Sequence, residues 1–332
     1  MGRTVRRRFS ASAVLIVALA TGLLSSGCAN RLTAYLRAWA ALELVSVEGG
    51  TLTVGGTTVH SWPAEYPPHV VTVSAFLMSK CEITQGLYEA IMGDNPSYFT
   101  SANGYADDPI LPVEIVTWLD AITFCNKLSE YQGLQPIYTI VTSVLPGSEN
   151  VIYDFSRNGY RLPTEAEWEF AARGGIKSQG FANPAFAYLY AGSNLVEDVA
   201  WTGSNAQSQS HPVGSKKPNE LGLYDMSGNV WEWCWDGNRG GLFGDYTDFL
   251  GAPPYSAPFI NPTGPFTNPV FLDNSFVIRG GGWLDAGFNN YPGDNCRVTV
   301  RIALPNGGAS SPPVFDAPFK ASDVGFRVVR RP

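Results

Sequence analysis

The sequence predicts one loop-rich domain of short strands with a few capped helices. Composition is the first reason: 35 glycines, 24 prolines and 13% aromatics in 332 residues suit a fold whose burial comes from aromatics more than from long regular elements. The second is that cap-like helix starts occur only in the first half of the chain; from Gly180 onward turn residues dominate. The third is Gly222-Leu-Tyr-Asp-Met-Ser-Gly-Asn-Val-Trp-Glu-Trp-Cys-Trp-Asp236, which sets Trp231, Trp233 and Trp235 beside a turn of Asp225, Ser227, Gly228 and Asn229. Val230, Glu232 and Cys234 alternate with the tryptophans, so this stretch reads as a strand with one aromatic face. A carboxylate between two indoles costs several kcal/mol if unpaired, on the order of that for any buried charge. Glu232 therefore needs an arginine, backbone N–H groups or a metal ion.

At the start of the chain, Arg3, Arg6, Arg7 and Arg8 precede an apolar run from Ala11 to Leu24, too short to span a bilayer comfortably. Residues 1–27 read as a signal peptide. Leu24-Ser-Ser-Gly-Cys28 resembles a lipobox, which makes Cys28 the lipidation site and predicts an exported protein anchored in a bacterial cell envelope. Removing that segment takes four arginines and leaves 18 basic against 29 acidic residues, a net charge of −11. Acyl chains on Cys28 would hold this acidic domain at a membrane. No basic stripe lies beyond the N-terminus, which argues against nucleic acid as a partner.

Residues 28–44 read as a tether and 45–332 as a single domain. Val45 to Gly56 reads as two short strands around Gly49-Gly50, and His69 to Leu77 as one further strand. A helix starts at Thr84 and stops at Gly93. Another follows Thr117, with Asp120 in a near-capping box. A third follows Thr164, with Glu167 completing a full box. Glu165, Glu167 and Glu169 read as a cap and helix-turn ion pairs rather than a catalytic cluster. Phe243 to Asn274 and Leu304 to Lys320 read as surface insertions, and Asp323 to Val329 as a closing strand. Cys81, Cys125, Cys234 and Cys296 form no zinc pattern. Four cysteines allow three disulfide pairings, and buried free thiols fit Cys125 and Cys234 better. No histidine array, P-loop or nucleophile elbow is present.

Lys80-Cys-Glu-Ile-Thr-Gln85, Tyr160 to Gly174, Pro212-Val-Gly, Asn219 to Trp235, Val277 to Trp283 and Gly325-Phe-Arg-Val-Val329 occur in one order. Together they closely resemble the formylglycine-generating enzyme family, the sulfatase-modifying factor domain. The resemblance implies a single irregular α+β domain related to C-type lectins. It also implies structural calcium. One ion would be held by Asp225 and Glu232 through side chains and by Gly228 and Val230 through carbonyls, hard oxygen donors that suit Ca2+. A second, weaker site maps onto Asn194, Leu195, Asn205 and Gln207.

Active members of the family oxidise a sulfatase cysteine with copper held by two nearby cysteines. In this chain Asp285 stands at the first cysteine position after Arg279-Gly280-Gly281, and Gly282 replaces a serine of the cleft. The second position falls near Gly293. Cys296, a few residues beyond, is a weak catalytic candidate on its own. Copper(I) prefers paired soft thiolates, so copper is not expected. The reading is therefore a non-catalytic, membrane-anchored binder of a ligand or envelope protein, with a cleft at Trp231, Trp283, Asp285 and Arg301. The alternatives are a formylglycine-generating oxidase and a structural part of an envelope complex.

Overall fold

The computed structural model describes residues 36, 39, 42–56, 63–141, 150–178, 187–238, 259–262, 275–285, 293–305 and 321–332. The basic segment, the apolar run and Cys28 lie outside these residues, as does most of both proline-rich stretches. Among the described residues no helix is long and apolar enough to cross a membrane.

The helices begin where side chains can satisfy the first free N–H groups. Thr84 accepts from Leu87 N and starts α1 (Gln85–Met92), which Gly93 ends at φ 95°. Before α2 (Trp118–Tyr131), Thr117 and Asp120 form a complete reciprocal box, with Asp in the place of the usual Glu. Thr164 and Glu167 do the same for α3 (Glu165–Ala172). A single turn, α4 (Val196–Val199), follows. Every residue of α3 is buried, its three glutamates included. That helix has no solvent face and is held by ion pairs as much as by packing.

The strands are short. In chain order they are β1 (Leu44–Val47), β2 (Gly50–Val54), β3 (His69–Val73), β4 (Phe76–Ser79), β5 (Tyr138–Val141) and β6 (Asn150–Tyr153). Then come β7 (Trp231–Asn238), β8 (Phe259–Ile260), β9 (Ser275–Arg279), β10 (Arg301–Pro305), β11 (Val324–Gly325) and β12 (Val329–Arg330). They form sheets ordered β10-β9-β7-β11, β1-β4-β12, β2-β3-β8 and the pair β5-β6. The structure is a mixed α+β domain.

The two short strands expected around Gly49-Gly50 are present, and each joins a different sheet: β1 pairs with β4, and β2 with β3. A Cβ on Gly49 would sit 2.7 Å from Val73 O, so glycine lets the chain pass between the two sheets. Two sequence expectations change. The run from His69 to Leu77 is two strands, broken at Ser74-Ala75 and shared between those sheets. The closing strand is also two pieces. Its first half, β11, runs parallel to β7, while β12 runs antiparallel to β4.

The tryptophan strand β7 lies inside the four-stranded sheet. Trp231, Trp233 and Trp235 face one core cluster with Trp118, Phe124 and Phe326; Cys234 faces a second with Trp168 and Phe170. Both faces are covered, so the alternation separates two cores instead of core from solvent. Each large aromatic buried there contributes about 1.5–3 kcal/mol. The indole N–H groups still need acceptors: Trp118 donates to Cys234 O at 2.9 Å and Trp233 to Val116 O at 3.0 Å. Trp39 packs tilted against Tyr131 at 5.2 Å and Leu42 is buried, both upstream of Val45.

Candidate functional site

Glu232 sits at the second residue of β7 with no solvent exposure. Its partner is Arg327, which comes from the link between β11 and β12. Arg327 Nε donates to Oε2 and Nη2 to Oε1, both at 2.6 Å. Trp168 Nε1 adds a bond to Oε2 at 2.7 Å. The remaining guanidinium donors reach Ser79 O and Tyr224 O, so the buried cation is fully engaged. The turn before β7 is held separately. Asp225 (φ 56°) and Asn229 (φ 66°) both adopt left-handed backbone. Asp225 Oδ2 accepts from Gly214 N at 2.7 Å, and buried Glu82 accepts from Asn229 Nδ2 at 2.8 Å and Val230 N at 3.1 Å. Burial pushes the Glu82 and Asp225 carboxyls above their usual range.

The segment after β9 turns sharply through Gly280 (φ 98°) and Gly281 (φ 76°). It brings Asp285 back over the turn, where Asp285 Oδ2 accepts from Gly282 N at 2.7 Å. Asp285 Oδ1 accepts from Asn295 Nδ2 at 2.6 Å, and the indole of Trp231 also bonds this carboxylate. Burial raises the Asp285 carboxyl despite those donors. Trp231 N donates to Asp323 O at 2.7 Å, which sets the half-buried Asp323 beside the same turn. A Cβ on Gly282 would lie 3.0 Å from Trp231 Cδ1 and 3.2 Å from Asp323 Cβ. Burial moves the Asp323 carboxyl up to about 6, with the Asp285 charge adding to it.

An aromatic wall closes the other side. Trp283 donates to Ser322 O at 2.8 Å and meets Phe99 edge-on at 5.3 Å; Phe99 in turn meets Tyr105 at 4.9 Å. Glu114 holds that aromatic loop by accepting from Tyr98 N at 3.0 Å and Phe99 N at 3.1 Å. Burial lifts the Glu114 carboxyl to about 7, with the Asp323 charge as a lesser cause.

The sulfatase-modifying factor enzyme 1-like domain matches residues 36–332. The chain belongs to this family. It is 35% identical over 315 residues to the chaperone protein LppX of Paenibacillus barcinonensis, covering 87% of this chain and 89% of that one. It is 29% identical over 222 residues to the formylglycine-generating enzyme of Thermomonospora curvata, covering 58% and 71%. It is 32% identical over 176 residues to the mouse inactive C-alpha-formylglycine-generating enzyme 2, covering 51% and 42%. Among solved structures, Treponema denticola variable protein 1 superposes with TM-score 0.65 at 34% identity over 87% of this chain and 95% of that one.

Against the sulfatase-modifying factor family, the residues expected to hold calcium do not fit an ion as arranged. Both Glu232 oxygens face a guanidinium, which answers the carboxylate's need and would repel a divalent cation. Asp225 Oδ2 is already engaged by Gly214 N at 2.7 Å. In the second set, Asn194 Oδ1 accepts from Leu189 N at 2.9 Å and Asn205 Oδ1 from Thr202 N at 2.8 Å. Leu195 is exposed and Gln207 sits at φ 54°, with no carboxylate in that set. Among the described residues no three His, Cys, Asp or Glu side chains converge as a metal group.

Two further expectations are corrected. Arg301 does not line the cleft. Its side chain is buried in a bidentate pair with Glu165, at 2.7 and 3.0 Å, because β10 lies against the start of α3. The glutamates of α3 are not mainly helix-turn pairs: Glu165 takes Arg301, Glu167 takes Arg161 at 2.6 Å, and Glu169 takes Arg279 as well as its helix neighbour Arg173. Cys296 is fully buried against Gly281, and burial pushes its thiol well above the usual range. All four cysteines among the described residues are free and buried. A neutral, enclosed thiol is a poor nucleophile and a poor copper ligand.

The structure brings Trp231, Trp283 and Asp285 together around the Gly282 turn and leaves Arg301 out. It adds Asn295, Asp323 and Glu114. Asp323 lies two residues before the Gly-Phe-Arg motif, and that adjacency was the one signal in the sequence that could have singled it out.

Proposed function

We propose that this chain is an exported, lipid-anchored, non-catalytic member of the sulfatase-modifying factor family that binds a polypeptide partner in the bacterial envelope. One observation carries the reading. At the position after the triple-glycine turn where active relatives need a thiolate, Asp285 makes a hydrogen-bonded pair with Asn295, and the nearby sulfur of Cys296 is sealed away. Oxygen and amide groups there cannot give copper(I) its paired thiolates. A relative named as a chaperone, matched over most of both chains, supports a protein as the ligand. A relative named as inactive supports loss of the oxidase chemistry. The lipobox-like sequence ending at Cys28 supports the anchor.

The test is twofold. The full chain, loaded with copper(I) and given a Cys-x-Pro-x-Arg peptide, is expected to yield no formylglycine. Formylglycine that vanishes in Cys296→Ser would overturn the reading. Cross-linking on intact membranes is expected to capture one recurrent client polypeptide that is released under competition. A permanent stoichiometric complex would favour a structural envelope role instead.

A further inference from the structure

The ligand cleft carries an imbalance that the family match does not explain. Asp285 and Asp323 converge on the Gly282 turn, and Glu114 lies behind them across the strand-like contact of Ile115 N with Ala321 O at 3.0 Å. Among the described residues no lysine or arginine contributes to the surroundings of any of the three. Glu232, Glu165, Glu167, Glu169 and Glu65 each have an arginine within 3 Å. An independent feature points the same way. Asn295 is 2% exposed, its amide head lies on Asp285, and its Oδ1 has no hydrogen-bond partner. A buried acceptor left without a donor costs on the order of 1–3 kcal/mol, a cost that a donor brought by a ligand would relieve.

The groups gathered here are thus acceptors without a cationic donor: two part-exposed carboxylates and one orphaned amide oxygen. Trp231, Trp283 and Phe99 pack nearly buried behind this turn, which keeps the carboxylates in a partly desolvated setting. An organic cation suits them, because its N–H groups donate to the carboxylate oxygens. A metal ion suits the site less well, since among the described residues no three His, Cys, Asp or Glu side chains converge as a metal group. We infer that the cleft at Asp285, Asp323 and Asn295 recognises a basic side chain, a lysine ammonium or arginine guanidinium, of the bound polypeptide. This rests on the binding reading above and deepens it.

The test uses the full chain in detergent micelles with indole-15N tryptophan and three probes: acetyl-Gly-Lys-Gly-amide, its norleucine analogue and its glutamate analogue. The lysine probe is expected to shift the Trp231 indole resonance saturably and to bind at least about tenfold more tightly than the norleucine probe, as paired against unpaired charge allows. Asp323→Asn and Asp285→Asn are each expected to remove most of that preference, and a cooperative thermal unfolding transition for each variant shows that it folds. Equal binding of lysine and norleucine probes, or a preference that survives both substitutions, would overturn the inference and leave peptide binding standing. Absence of any probe-induced shift at Trp231 would overturn it as well. Formylglycine formation by the copper-loaded protein would instead sink the underlying non-catalytic reading, whatever the peptides do.

Discussion

Replacing Arg327 with methionine removes the guanidinium that holds Glu232 and keeps a side chain of similar length. Both partners have 0% exposed side chains, so the released carboxylate has no water to turn to. Breaking a buried pair from one side costs about 3–5 kcal/mol. The upper part of that range applies here, because Ser79 O and Tyr224 O also lose their donors. In a domain of this size that loss lowers Tm by about 8–12 °C. The assay is urea or thermal unfolding of parent, Arg327→Met, Glu232→Gln and the double variant. The double variant should be more stable than Arg327→Met alone by about 1–2 kcal/mol, since no bare charge remains. Calcium and chelator should leave all four curves in place. The reasoning fails if Arg327→Met is as stable as the parent, or if added calcium restores what it lost.

Three other outcomes follow from the same geometry. In the native protein Cys81, Cys125, Cys234 and Cys296 should resist a thiol reagent and react together on unfolding, because burial raises all four thiols; early modification of Cys296 would contradict its enclosure. The Asp323 and Glu114 carboxyls are raised in the fold to about 6 and about 7, so the folded chain binds their protons more tightly than the unfolded one. Their contribution is complete below about pH 4 and is lost as pH rises through 6 to 7; Asp323→Asn should flatten the fall in Tm between about pH 4 and 6. Thr164→Ala should cost about 1 kcal/mol in denaturant unfolding, with Glu167 kept in place by Arg161, and a loss far above that would mean the cap does more than start α3.

Local chemistry was legible in the sequence. The helix starts at Thr84, Thr117 and Thr164 stand where their caps placed them, because a cap is complete within four residues. The tryptophan alternation placed β7 and its aromatic face, and the demand of Glu232 for a counter-charge was plain from its neighbours. What the sequence could not assign was partnership across distance. Glu232 found an arginine 95 residues away, and Glu165 one 136 away. One strand run became two strands in two sheets because a period-2 pattern says which face is buried and not against what. Arg301 and Asp323 exchanged roles for the same reason. A charge joins a core or a cleft according to which loops meet around it, and that meeting is settled only when β7, β9, β10 and β11 close into one sheet.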